Sequence, residues 1–259
     1  MELHLTIPSK TTDLSPKDVK FVSALFLSQQ SESEFLVKAF LFFSGLKIVK
    51  MRLPMTDGAM WYRHHSLKKP FLIKPDIIAS MAEKCRFLLS TGEMTPLPWI
   101  RFARARHRRL NNACFEEYLM AENYYFAYVD TKNETHLNNL ISVLYRCPWQ
   151  RWNSDKIQAR SSRFAHIDPV IKNTVFLWYI GFRSYVPQRC KSLFSGKKSN
   201  EPFSPRNYIN GMIHQLTNGD ITVKTALLKL PVWDALDELE QRALEALRTE
   251  MAYSSNKKN

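Results

Sequence analysis

The sequence has few glycines, only 7 in 259 residues. Turn-rich β architectures and loops that wrap phosphate groups both depend on glycine, because it adopts positive φ angles without strain. The motifs GxSxG, GxGxxG, GKS/T and HExxH do not occur either. The sequence therefore disfavours a glycine-rich β fold and offers no signature of a nucleotide-binding protein, a serine hydrolase or a zinc protease.

Cysteine is also sparse and widely spaced. No CxxC pair and no Cys/His spacing typical of a metal site is present. We expect reduced thiols in a cytosolic protein, rather than a disulfide, and no metal or other cofactor. The four cysteines are Cys85, Cys114, Cys147 and Cys190.

Long hydrophobic runs are missing as well. The most apolar stretches, residues 21–27 and 170–185, are too short or too interrupted to span a bilayer. Residues 1–20 are mixed and polar, without the cleavage pattern of a signal peptide. We therefore expect a cytoplasmic protein without a membrane partner.

Helical periodicity, by contrast, recurs along most of the chain. Ser15 before Pro16 is a helix start, and the pattern Ser31-x-x-Glu34 is a capping box. Gly45 suits the left-handed position after a helix. The sequence predicts a mainly α protein, a multi-helix bundle of about nine helices. Predicted helices after residue 45 cover residues 75–90, 115–129, 135–145, 154–164 (capped by Ser154), 168–187 and 205–217, a short one from 222, and the segment after Pro231.

Residues 46–74 depart from this pattern. Apolar residues there have strand-like spacing, and Thr56-Asp57-Gly58 has the composition of a turn. We expect a small β-hairpin or an irregular excursion. For the domains we predict a main helical domain over 1–194, a linker over 195–205 that is rich in Ser, Lys and Pro, and a C-terminal helical subdomain over 206–259.

The net charge of +13 is unevenly distributed. Lys and Arg outnumber Asp and Glu by 18 to 9 in residues 1–110 and by 12 to 7 in residues 111–200. Residues 201–259 contain 7 basic and 8 acidic side chains. The positive part of the chain suits nucleic acid, a membrane surface or an acidic protein.

One basic segment is concentrated enough to be a candidate polyanion-binding site. Arginine matches phosphate geometry with paired donors, so this segment predicts contact with nucleic acid. The alternatives are a solvated loop or a patch that docks on an acidic neighbouring subunit. No recognised nucleic-acid-binding motif accompanies it. Its five arginines are Arg101, Arg104, Arg106, Arg108 and Arg109.

Two weaker clusters have simpler interpretations. His64-His65 has no carboxylate or cysteine at metal-ligand spacing, so we expect no metal there. Glu116, Glu117 and Glu122 recur along one predicted helix, where paired acids can perform acid–base chemistry. An exposed helix face explains them more simply, and we predict no catalytic residue.

The final predicted helix is amphipathic. Its apolar side offers a surface on which a partner helix can pack. The apolar positions are Trp233, Leu236, Leu239, Ala243 and Leu247.

Several segments together resemble a family of poorly characterised helical proteins that prophage and phage particle gene clusters encode. The resemblance runs from about residue 14 to about residue 250. Its motifs are apolar stripes along helices and residues that cap helix ends, and they identify no catalytic or binding chemistry. The similar segments are 14–19, 115–125, 137–146, 216–224 and 232–239.

This resemblance implies a non-enzymatic role, as a structural component of the particle or as a tail assembly chaperone. Its partners would be other phage particle or assembly proteins, or further copies of itself. Its location would be the host cytoplasm or the virion. The alternative is a nucleic-acid-binding protein that uses Arg101 to Arg109.

Overall fold

The protein is mainly α-helical, as the sequence predicts. The computed structural model describes residues 5–49, 59–90, 92–195 and 204–256, with ten α-helices and two small antiparallel sheets among them. The chain divides into two compact units, Met1–Thr95 and Pro96–Asn259, here called unit 1 and unit 2.

The helix starts of unit 1 follow the predicted capping chemistry. Ser15 Oγ accepts from the backbone N–H of Asp18 at 3.3 Å, and the Asp18 carboxylate accepts from the Ser15 N–H at 2.9 Å. Ser31 Oγ accepts from the Glu34 N–H at 3.3 Å, and Gly45 ends the second helix at φ +69°. The helices are α1 (Pro16–Leu27), α2 (Glu32–Ser44) and α3 (Pro75–Ala82), the last continued by a 3-10 helix over Glu83–Leu89.

The predicted β excursion is a three-stranded sheet. Strands β1 (Lys47–Ile48), β2 (Met60–Arg63) and β3 (Phe71–Ile73) pair antiparallel in that order. Tyr62 in the central strand pairs with Ile48 on one side and Phe71 on the other. The predicted strand residues Met51 and Leu53 and the predicted turn 56–58 lie outside the described residues.

Unit 2 is organised around its first helix. Helix α4 (Phe115–Thr131) packs against α5 (Glu134–Leu144), α8 (Pro205–Thr217) and α10 (Val232–Asn256). Helix α5 also packs against α6 (Ile157–Ser161) and α7 (Pro169–Arg189), and α9 (Lys224–Leu228) packs against α8. The core is rich in large aromatic side chains, which bury much apolar surface between the helices. Its fully buried rings include Phe115, Tyr118, Tyr145, Trp178, Tyr179 and Phe182.

A second small sheet in unit 2 was not predicted. Strands β4 (Trp99–Ile100), β5 (Ala103–Ala105) and β6 (Tyr145–Arg146) pair antiparallel in that order. Strand β6 follows directly on α5, so the sheet joins the basic segment to the end of a core helix.

The C-terminal helix is tied to the start of α4. The Phe115 N–H donates to the Leu230 carbonyl at 2.8 Å, and the Val232 N–H donates to the Ala113 carbonyl at 3.1 Å. Trp233 follows immediately and is buried. Residues 205–256 therefore pack as part of unit 2.

The boundary between the two units differs in place from the predicted domain boundary. It lies between Thr95 and Pro96, within the range 1–194 that the sequence assigned to one domain. Most of the predicted linker, 196–203, lies outside the described residues, so the linker stays a prediction.

Candidate binding surface

The short sheet of unit 2 presents an aromatic ring to solvent. Ile100 and Ala103 are buried and pair with each other, so the two residues between them form a tight turn. Arg101 in that turn adopts φ +53°. Phe102 lies at the tip and is 77% exposed. A ring this exposed has no role in the core of the unit.

A largely apolar cavity of about 330 Å³ lies beside this turn. Its apolar walls come from the sheet and from Phe164. Cations complete the lining, so an apolar side chain that enters the cavity would have positive charge beside it. The arginines of the lining are Arg101, Arg146, Arg160 and Arg163.

A second cavity, of about 570 Å³, adjoins the first. Gln150, Arg160 and Arg163 line both cavities. Arg151 and Lys156 add two further cations to the second one. The shared lining makes the two cavities one continuous basic region.

A second exposed ring is next in the chain to a residue that lines the first cavity. Trp149 is 76% exposed, and it stands in the chain between Pro148 and Gln150, the latter a lining residue. We call the set Arg101, Phe102, Trp149, Arg160 and Arg163 the arginine–aromatic surface.

Behind this surface, a buried carboxylate holds two arginines. Glu117 is 4% exposed. The Arg106 guanidinium lies 2.6 Å from the Glu117 carboxylate, and Arg146 Nη1 lies 3.3 Å from it. The neighbouring acid, Glu116, accepts from the Trp152 indole N–H at 2.6 Å. Helix α4 therefore presents Glu117 to Arg106 of the basic segment and Glu116 to Trp152.

Arg160 occupies the wall between the two cavities and is 7% exposed. Its Nη2 donates to the Asn153 carbonyl at 3.2 Å, and its guanidinium lies 5.5 Å from the centre of the Trp152 ring. Burial lowers the pKa of Arg160, and the neighbouring Arg146 lowers it further. Burial likewise lowers the pKa of Arg146, with a further contribution from Arg106.

A separate buried ion pair lies between α4 and α7. Glu122 is 1% exposed and accepts from Arg183 Nε at 2.7 Å and from the Tyr179 hydroxyl at 2.8 Å. The Arg183 guanidinium lies 4.0 Å from the centre of the Tyr125 ring. Burial raises the pKa of the nearby Tyr208 to about 12. These contacts lock the carboxylate in place and hold the two helices together.

The prediction that Glu117 and Glu122 lie on an exposed helix face is therefore wrong. Both carboxylates are buried, because arginines from elsewhere in the fold neutralise them. The partners of Glu122 are 57 and 61 residues away in the chain. A pattern of neighbouring residues in the sequence cannot indicate an ion pair between residues this far apart.

The five predicted polyanion-binding arginines have different environments. Arg101 and Arg104 are exposed, and Arg101 Nη1 donates to the Arg163 carbonyl at 2.7 Å. Arg106 is held in the buried ion pair. Arg109 lies 4.2 Å from the centre of the Tyr185 ring, and the Arg108 carbonyl accepts from the Trp178 indole N–H. Polyanion binding by the segment stays a prediction, for which Arg101 and Arg104 are the accessible positions.

The predicted partner-binding helix also divides into two parts. Trp233, Leu236 and Leu239 are buried in the core of unit 2, because the first turns of α10 pack on α4. The Trp233 indole donates to the Arg109 carbonyl at 2.8 Å. Ala243 and Leu247 are half-buried, so a partner could reach the apolar side of α10 only from about residue 243 onward.

The remaining predicted features are structural. His64 is buried, and its Nδ1 lies 2.6 Å from Ser66 Oγ. Within the described ranges, no three His, Cys, Asp or Glu side chains form a group that could hold a metal ion. The four cysteines are free thiols. In the part of the chain that the structure describes, no helix is both long and apolar enough to cross a bilayer.

Sequence reasoning missed the residues that complete the surface. They are Phe102, Trp149, Arg160 and Arg163. The run Trp149-Gln-Arg-Trp152 was a signal, because aromatic and guanidinium groups together are typical of contact surfaces. Its proximity to residues 101–109 depends on the pairing of β5 with β6, which the sequence did not predict.

No protein-family model, no curated protein and no solved structure matches this chain.

Proposed function

We propose that this protein is a non-enzymatic structural or assembly component of a phage particle, and that it binds a partner protein through the arginine–aromatic surface. The resemblance of its helical segments to phage particle proteins supports the phage context. The composition of the surface supports the binding role, because Trp, Tyr and Arg are enriched at the residues that dominate protein–protein affinity.

Two exposed rings are the observation that supports this proposal most strongly: Phe102, which lines the first cavity, and Trp149, which is next in the chain to the lining residue Gln150. Covering one such ring removes roughly 100–150 Å² of apolar surface from water, which favours association by about 3 kcal/mol. The two rings together could supply much of the affinity of a micromolar complex, before the entropic cost of association.

Removing both rings tests the proposal. The variant Phe102→Ala/Trp149→Ala should fold normally, because neither ring is in the core, and should lose at least about 100-fold in affinity for its partner. The measurement is pull-down and calorimetry against the particle proteins encoded beside this chain, each expressed separately.

The control is Ile221→Ala, which removes a 78% exposed apolar side chain elsewhere in unit 2. It should bind like the parent. Equal affinity of the double variant and the parent for a partner would contradict the use of this surface. The assembly role would be contradicted if the parent protein bound none of the particle proteins and if light scattering showed that it does not self-associate either.

Nucleic-acid binding is the second candidate. Arg101 and Arg104 are exposed, and Arg151, Lys156 and Arg163 line the adjoining cavities. Basic grooves that carry exposed aromatic rings bind single strands, because bases stack on the rings while cations follow the phosphates.

A further inference from the structure

Two guanidinium groups contact the buried carboxylate of Glu117, and a third, that of Arg160 in the arginine–aromatic surface, lies near them. Arg106 and Arg146 both contact Glu117. Arg160 is close enough to Arg146 and Arg106 for their charges to lower its pKa, and Glu117 only partly offsets this effect. The carboxylate of Glu117 cannot neutralise all three.

The excess positive charge lies at the cavities. Arg146 and Arg160 line the first cavity, and Arg160 also lines the second. The buried Nε of Arg160 has no hydrogen-bond acceptor among the described residues. A buried cation whose charge is only partly offset is unfavourable, so an incoming anion gains from neutralising it.

We propose that an acidic segment of the partner protein places one carboxylate against Arg146 and Arg160 and the apolar side chain next to it in the first cavity. This inference rests on the proposed function and names the chemistry of the partner. Guanidinium groups bind carboxylates through paired donors, and the apolar walls of the cavity suit a large side chain.

The geometry favours a protein carboxylate over a nucleic-acid strand. A strand repeats its charge at every nucleotide and is matched by a row of exposed cations along a groove. Here the two guanidiniums that carry the excess charge are mostly buried, and the lining that they share is that of the apolar first cavity, of about 330 Å³. That space holds a single large side chain with one charge beside it.

Small probes test the inference on the full chain. N-acetyl-phenylalanine carries a ring and a carboxylate, and N-acetyl-phenylalaninamide carries the same ring without the charge. The carboxylate form should shift the Arg160 Nε–Hε signal in a ¹H–¹⁵N NMR titration. The amide form should bind at least about tenfold more weakly. Equal binding of the two forms would overturn the inference.

Two further probes separate the sources of negative charge. Inorganic phosphate and a ten-residue oligo(dT) are added under the same conditions. If either one displaces the carboxylate probe and binds more tightly than it does, the site is a phosphate site and the inference fails.

A variant pair confirms the location. Arg160→Gln should weaken the carboxylate probe at least about tenfold, and Arg104→Gln, which removes an exposed charge on β5 outside both cavities, should change it less than about twofold. If Arg160→Gln does not fold, the comparison of carboxylate and amide on the parent decides the matter alone. If these probe experiments fail but partner binding still depends on Phe102 and Trp149, the inference is wrong and the proposed function is unaffected.

Discussion

The carboxylate of Glu122 links two helices of unit 2 through a single residue. It accepts from Arg183 on α7 and from the Tyr179 hydroxyl on the same helix, while it belongs to α4 itself. A buried ion pair adds little net stability over an apolar replacement, but removing one partner leaves the other charge unpaired. Removing Glu122 therefore costs more stability than the ion pair itself contributes.

Glu122→Ala should lower the free energy of unfolding by about 3 kcal/mol, because it leaves the partly buried Arg183 without its counter-ion. Urea unfolding followed by circular dichroism measures the change. Asp130→Ala, an exposed acid on the same helix, is the matched control and should stay within about 0.5 kcal/mol of the parent. A similar loss in both variants would mean that the buried ion pair does not cause the effect.

Single residues were predictable where their role is local. Ser15, Pro16 and Gly45 act on backbone groups within three residues of themselves, so the sequence alone identifies their roles. Glu117 was not predictable in this way. Its charge is satisfied by Arg106 and Arg146, which are 11 and 29 residues away in the chain, and no pattern within the helix indicates these contacts.

Among the secondary-structure elements, α1 shows most clearly how the residues at a helix start stabilise the helix. The Ser15 and Asp18 side chains satisfy each other's backbone N–H groups, which would otherwise have no partner at the helix start. The apolar face of the helix, with Val19 and Val22 fully buried, is held in place by this start.

Ser15→Ala should lower the free energy of unfolding by about 1 kcal/mol, because it removes the acceptor for the Asp18 N–H. Chemical denaturation of the full chain provides the measurement. Ser80→Ala, at an exposed interior position of α3, should be neutral or slightly stabilising. If Ser15→Ala proved as neutral as that control, the cap would contribute nothing.

Elements were predicted well when they are long and poorly when they are short. Helices α4, α5 and α7 lie within two residues of their predicted bounds, because several turns of apolar periodicity define each one. The predicted helix over 154–164 is instead a 3-10 turn, the five-residue α6 and a second 3-10 turn, and Asn153 rather than Ser154 caps it. A sheet of two- and three-residue strands has too little periodicity to show in a sequence.

For the whole molecule, the net charge of +13 makes any interaction with nucleic acid dependent on salt. If the second candidate function holds, Arg101→Gln/Arg104→Gln should reduce the slope of log affinity against log salt by about 1.5 for single-stranded DNA. Fluorescence anisotropy with labelled oligo(dT) between low and physiological salt measures the slope.

The control for this measurement changes two charges far from the basic segment in sequence. Lys224→Gln/Lys229→Gln alters two exposed lysines of the C-terminal region and should leave the slope nearly unchanged. An equal change in both double variants would indicate attraction by net charge alone, without a site. Arg106 is left intact, because its loss would leave Glu117 with one fewer counter-ion.

Trp233 has a consequence for how the protein is made. Its indole N–H donates to the carbonyl of Arg109, 124 residues earlier in the chain, and the centre of its ring lies 6.1 Å from the centre of the Phe182 ring. A ribosome must therefore synthesise almost all of unit 2 before the segment that carries Arg101 to Arg109 reaches its final form. Until α10 has been synthesised, the contacts of Trp233 with Arg109 and Phe182 cannot form, so unit 2 completes its fold only near the end of its translation.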